Sequence, residues 1–113
     1  NISLPKQLES IESGAFSNCV LLREIELPEG IKSIRPKVFL NCHSLESITF
    51  SDKLSKIGES AFANCENLKS IDLPNSLESI DNFAFKGCSN LFMVKMSEGI
   101  KVLEKMRLQV LLL

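Results

Sequence analysis

The chain contains no Trp and no Tyr, and its aromatic residues are seven Phe. Such a composition gives no support to the stacking of bases or sugars on exposed rings. It holds a single His, His43, so a Ser/His/Asp or Cys/His catalytic group would have to be built on that one side chain. No Gly-rich phosphate loop occurs. Charge of one sign is also lacking: 13 basic and 14 acidic residues are interspersed, leaving a formal net charge of −1. That balance speaks against nucleic acid and against an anionic membrane surface as partners. Apolar runs such as Val110–Leu113 fall far short of the roughly 20 residues of a membrane-spanning helix, so membrane insertion is not expected. The first residue is Asn1, it lies inside a repeat, and no secretory leader precedes it. The sequence therefore reads as a segment of something longer.

What is present is a repeat. Cys19, Cys42, Cys65 and Cys88 follow one another at steps of 23 residues. Other columns keep the same step: Phe16, Phe39, Phe62 and Phe85; Leu22, Leu45, Leu68 and Leu91; Ile25, Ile48, Ile71 and Val94. Leu27, Phe50, Leu73 and Met96 form another, and Ile11, Ile34, Ile57 and Ile80 a further one. Within a unit such as "AFANCENLKSIDLP" (Ala61 to Pro74), Ile71 and Leu73 alternate with polar neighbours, as in a half-buried strand. Pro74, without an N–H, ends that ladder. "LESI" (Leu77–Ile80) resumes an extended stretch after a short turn, and "DNFAFKGC" spaces its apolar residues like one or two helical turns.

A unit of 23 residues cannot bury its own apolar edge, whereas stacked copies bury one another. The fold class is therefore a repeat solenoid with parallel β-strands, short helical or 3-10 segments, and extended stretches. We place four full units at 2–24, 25–47, 48–70 and 71–93, then a degenerate unit at 94–113, in one domain spanning 1–113. In that last unit Ile100, Leu103, Met106 and Val110 also fit a helix, but we prefer a worn fifth coil.

The consensus C-x-x-L-x-x-I-x-L-P-x-x-L-x-x-I-x-x-x-A-F-x-N-C resembles the BspA-like, or Treponema pallidum type, leucine-rich repeat. The resemblance runs from Ile2 to about Leu103; Ser51 and Ser97 replace Pro, Gly87 replaces Asn, and Arg35–Val38 rewrite one helix start. It implies a surface or secreted protein, extracellular in location, linked to adhesion and to binding of host or matrix proteins. It brings no catalytic residues, no cofactor and no fixed ligand residues.

The four cysteines follow the apolar period and read as a ladder of buried free thiols. Parallel side chains in register keep their Cβ atoms too far apart and badly oriented for disulfides. Cys42-His43 is the one Cys/His pairing, and the C-x₂₋₄-C spacing of a zinc site is absent. Asn18, Asn41 and Asn64 read as amides that satisfy backbone groups where the coil turns.

The polar columns of the strands remain. Arg23, Glu46, Lys69 and Phe92 form one, Glu24, Ser47, Ser70 and Met93 a second, and Glu26, Thr49, Asp72 and Lys95 a third. In a solenoid these columns form a continuous outward face, the usual binding surface of repeat proteins. The candidate residues are Arg23, Glu26, Glu46, Thr49, Lys69, Asp72, Phe92 and Met93, and the expected partner is a protein. A structural spacer with no ligand of its own would show the same variable face. Phe92, Met93 and Phe83 stand out as apolar residues in polar columns. With no polar cap visible at either terminus, end-to-end self-association is a further expectation.

Overall fold

The computed structural model describes residues 2–96. Seven short strands lie in chain order: β1 (Glu24–Glu26), β2 (Ser33–Ile34), β3 (Ser47–Thr49), β4 (Lys56–Ile57), β5 (Ser70–Leu73), β6 (Ser79–Ile80) and β7 (Met93–Met96). Every pairing is parallel and joins residues one 23-residue step apart: Ile25 with Ile48, Ile34 with Ile57, Ile57 with Ile80, and Ile71 with Val94. Ile2 makes a single parallel bridge to Ile25. The repeat thus closes into coils, and each apolar column of the sequence is a column of the core.

β1, β3 and β5 alternate exposed and buried residues, because the pleat turns successive side chains to opposite faces; in β7 Val94 is half-buried and its neighbours are exposed. Ile25, Ile48 and Ile71 point inward with Leu27 and Leu73. The Phe column becomes a stack: Phe16 on Phe39 at 5.6 Å, Phe39 on Phe62 at 5.2 Å, and Phe62 on Phe85 at 5.4 Å, with rings within 9° of parallel. Val38, Ala61 and Ala84 fill the space beside the rings.

The stretch after the strand turn is more ordered than an extended connection. β2, β4 and β6 form a second parallel sheet across three coils. Backbone bonds such as Ser55 N–H to the Lys32 carbonyl (2.7 Å) and Asp81 N–H to the Ile57 carbonyl (2.9 Å) extend it beyond the strand residues.

The helical or 3-10 segments expected after it do not form; among the described residues each is a run of turns. The cause is backbone conformation. Gly14, Lys37, Ser60 and Phe83 have φ between 55° and 71°, and Asn18, Asn41, Asn64 and Gly87 between 60° and 77°. A left-handed residue at every fourth position interrupts any helix. It also turns alternate amides outward along the stack. Ala15, Ser17 and Cys19 donate three residues back within their own coil, whereas Gly14, Phe16 and Asn18 donate to Pro36, Val38 and Leu40 of the next. The same alternation recurs from Lys37 to Cys42 and from Ser60 to Cys65. Neighbouring coils are therefore bonded along this arc as in a sheet, although the arc is made of turns.

The asparagines have a different role from the one expected. Their amides bond one another rather than the backbone: Asn41 Nδ2 donates to Asn18 Oδ1, and Asn64 Nδ2 to Asn41 Oδ1, each at 2.9 Å. Asn suits the position because it tolerates positive φ and carries both a donor and an acceptor. Gly87 ends the ladder, and a Cβ there would collide with Asn64 Oδ1.

The sulfurs also act along the stack. The Cys42, Cys65 and Cys88 thiols donate to the carbonyls of Phe16, Phe39 and Phe62 at 3.1, 3.2 and 3.1 Å. All four cysteines are free. Burial pushes the Cys42 and Cys88 thiols up from the ordinary 9.0 to about 11, and it moves Cys65 upward too. Because these values are raised in the folded chain, the stability they contribute is intact below pH 9 and is lost as pH climbs towards 11. Thermal melts should hold steady from pH 7 to 9 and fall above that. In the native protein at pH 7.5, iodoacetamide should label half-exposed Cys19 well before the other three.

The degenerate unit expected at 94–113 is described only to Met96; the rest lies outside the described residues.

Candidate binding face

All eight residues singled out in the sequence lie at the surface. Arg23, Glu26, Glu46, Thr49, Lys69, Asp72, Phe92 and Met93 are exposed on the strand side of the coils. Arg23, Glu46, Lys69 and Phe92 sit immediately before the odd-numbered strands, while Glu26, Thr49 and Asp72 lie within β1, β3 and β5. Phe92 is 74% exposed and Met93 44%, side by side at the start of β7; Met93 is the register partner of Ser70 in β5, and the Phe92 N–H donates to the carbonyl of Lys69 just before that strand. Adjacent apolar side chains this exposed are the kind of surface exception that marks contact sites. Phe83 does not join them. It lies on the turn arc, with φ 61° and the Lys86 ammonium 5.1 Å from its ring centroid.

The outward columns run on from coil to coil, but the hydrogen-bonded sheet beneath them is interrupted. β1 pairs with β3 and β5 with β7, but no ladder joins β3 to β5. The departure lies at Phe50, which fills a column of Leu and Met. Its ring packs edge-on to Phe62 at 5.9 Å and 77° at the end of β3. Next to it, Ser51 replaces Pro and is buried, its hydroxyl donating to the Ile31 carbonyl at 2.9 Å. A cleft of about 330 Å³ opens at this seam, lined by Ile48, Thr49, Phe50, Asp52, Asp72 and Pro74.

Sequence reasoning missed two of these residues as surface features. Phe50 falls in an apolar column of the repeat, and Asp52 lies in the turn outside the strand columns. The signal was present: Phe for Leu and Ser for Pro fall on consecutive positions of one unit. The second sheet also carries an unforeseen polar face. There Arg35 pairs with Glu12 at 2.9 Å and Lys56 with Asp81 at 3.5 Å, each bridging adjacent coils. Both pairs are solvent-exposed, where such bridges contribute little.

Chemically the site offers side-chain contact and hydrogen bonding. His43 is exposed in the turn after Cys42. Among the described residues, no group of three or more His, Cys, Asp or Glu is placed to hold a metal ion. No helix of these residues is long and apolar enough to cross a membrane.

Parallel strands recurring every 23 residues around a shared apolar core define a leucine-rich repeat solenoid. The BspA-type leucine-rich repeat region matches residues 1–109 in six copies, and the chain belongs to that family. A leucine-rich repeat protein from Bacteroides ovatus superposes with a TM-score of 0.73 at 32% identity, over 78% of this chain and 22% of that one. One from Bacteroides capillosus gives 0.68 at 34% identity, over 75% of this chain and 60% of that one. The leucine-rich repeat protein of T. pallidum gives 0.57 at 23% identity, over 96% and 81%, and shows the shared fold. The chain thus spans 22% and 60% of the lengths of the two Bacteroides proteins. No curated protein sequence matches it.

Proposed function

We propose that this chain is a non-enzymatic protein-interaction module, part of a surface or secreted protein, that binds a host or matrix protein through its strand face. The observation that carries the reading is the exposed pair Phe92 and Met93, set beside Lys69 on a face whose outward columns change in charge and polarity from unit to unit while the inward columns stay apolar. Binding hot spots combine such apolar anchors with flanking charge. A change of chemical character on the outward side over an apolar inward side is what a fixed scaffold carrying a recognition surface requires.

The test is a pull-down of purified extracellular-matrix and plasma proteins by the chain and by a variant carrying Lys69→Glu, Asp72→Lys and Phe92→Ala. All three positions are exposed, so the variant should fold, with an unchanged circular dichroism spectrum. Capture by the parent and loss in the variant support the module. Equal capture by both would move the site elsewhere, and no capture by either would favour a spacer.

A further inference from the structure

The seam between β3 and β5 leaves backbone groups without partners. Ser47 N–H bonds the Arg23 carbonyl and Thr49 accepts from Leu27 N–H, so both residues turn their polar groups towards β1. Successive residues of a strand point these groups to opposite sides. Ile48 and Phe50 therefore direct theirs towards β5. On the other side, Met93 N–H bonds the Lys69 carbonyl, so Lys69 and Ile71 face β7 while Ser70 and Asp72 face β3. No ladder connects the two sets. Ile48 is only 7% exposed, and a buried peptide group without a partner is rare in a folded chain.

The charge of the seam is equally one-sided. Asp52 and Asp72 both line the cleft, and no Lys, Arg or His lines it with them. Among the described residues the ion pairs are Glu12–Arg35 and Lys56–Asp81, so neither cleft carboxylate is paired. Lys95 is the register neighbour of Asp72 in β7, yet it does not pair with it. Phe50, Pro74 and Ile48 supply apolar walls.

Resting on the strand-face reading above, we infer that the seam receives an arginine side chain of the partner protein. A guanidinium presents five N–H donors and no acceptor, which suits a cleft lined by two carboxylates with no cation among its lining residues. Its plane can lie against the Phe50 ring, and its methylene stem can cover Pro74 and Ile48. A lysine would supply the charge without the flat, forked geometry. The face then reads as two neighbouring contacts on either side of β5: an apolar anchor at Phe92 and Met93, and a charged slot at the seam.

The experiment is a titration of the ¹⁵N-labelled chain with Nα-acetyl-arginine methylamide, with the lysine and norleucine analogues as controls, followed by amide chemical shifts. Arginine should shift the Ile48, Phe50, Ser70 and Asp72 amides saturably, lysine several-fold more weakly, and norleucine not at all. Asp52→Asn with Asp72→Asn, both exposed and compatible with folding, should weaken arginine binding at least tenfold while leaving the core amides in place. No arginine response, equal response to norleucine, or shifts spread over every exposed carboxylate would overturn the assignment. A chain that captures a matrix protein yet ignores arginine overturns the seam proposal alone. A chain that binds arginine at the seam but captures matrix protein equally well after the triple substitution, which includes the seam residue Asp72, overturns the strand-face reading and the assignment of that arginine to the captured partner, and leaves only the seam's selectivity for a guanidinium.

Discussion

Phe62→Ala should lower the unfolding free energy by about 3–5 kcal/mol, the usual cost of deleting a buried ring. Phe62 lies at the centre of the stack and is fully buried, with Phe39 above, Phe85 below and the Phe50 edge against it. In a solenoid each coil is supported only by its neighbours, so a cavity here separates the coils before it from those after it. The loss is a large share of the roughly 5–15 kcal/mol that stabilises a domain. Urea unfolding should show the midpoint displaced sharply, or the variant unfolded in buffer. Phe92→Ala removes the same side chain from an exposed position and should change stability by less than about 0.5 kcal/mol. Equal effects of the two substitutions would mean that the rings do not carry the core.

Asn41→Ala should cost about 2–3 kcal/mol, a large effect for a position that is not in the core. It removes the bonds to Asn18 and Asn64, worth about 1 kcal/mol each at most near the surface. It also leaves an alanine at φ 60°, a conformation that costs about 1–2 kcal/mol without a compensating side chain. Asn41→Gly separates these contributions, since glycine accepts the backbone conformation but cannot extend the ladder. Its cost should be about 1 kcal/mol, so the two variants should unfold at clearly different urea concentrations. Equal midpoints would assign the role of Asn41 to the amide ladder alone.

The core was legible in the sequence because burial in a stacked coil acts on every copy alike. Ile25, Ile48 and Ile71 recur at one step and are buried together. The turn arc was misread because "AFKGC" and its equivalents space their apolar residues like a helix, while conformation there is set by Asn and by neighbours such as Ser60 and Lys37. Asn signals positive φ; Ser, Lys and Phe83 do not, and they adopt it because the bonds between coils require it. Glu26, Thr49, Asp72 and Met93 could be found because alternation within the strands sends them outward, and Arg23, Glu46, Lys69 and Phe92 because the 23-residue step sets them in one column just before those strands. The seam could not be inferred from alternation, because β3 and β5 share the same exposed and buried pattern whether or not a ladder joins them.

The account rests on a division of labour between inward columns that hold the coils and outward columns that meet a partner. Its most direct test is to measure, on the same preparations, melting temperature and affinity for one captured matrix protein in the parent chain and in the Lys69→Glu, Asp72→Lys, Phe92→Ala variant. The account predicts an unchanged melting temperature and at least a hundredfold loss of affinity, the scale expected when an aromatic anchor and its flanking charges are removed together. A variant that melts with the parent and still binds with parental affinity would contradict it.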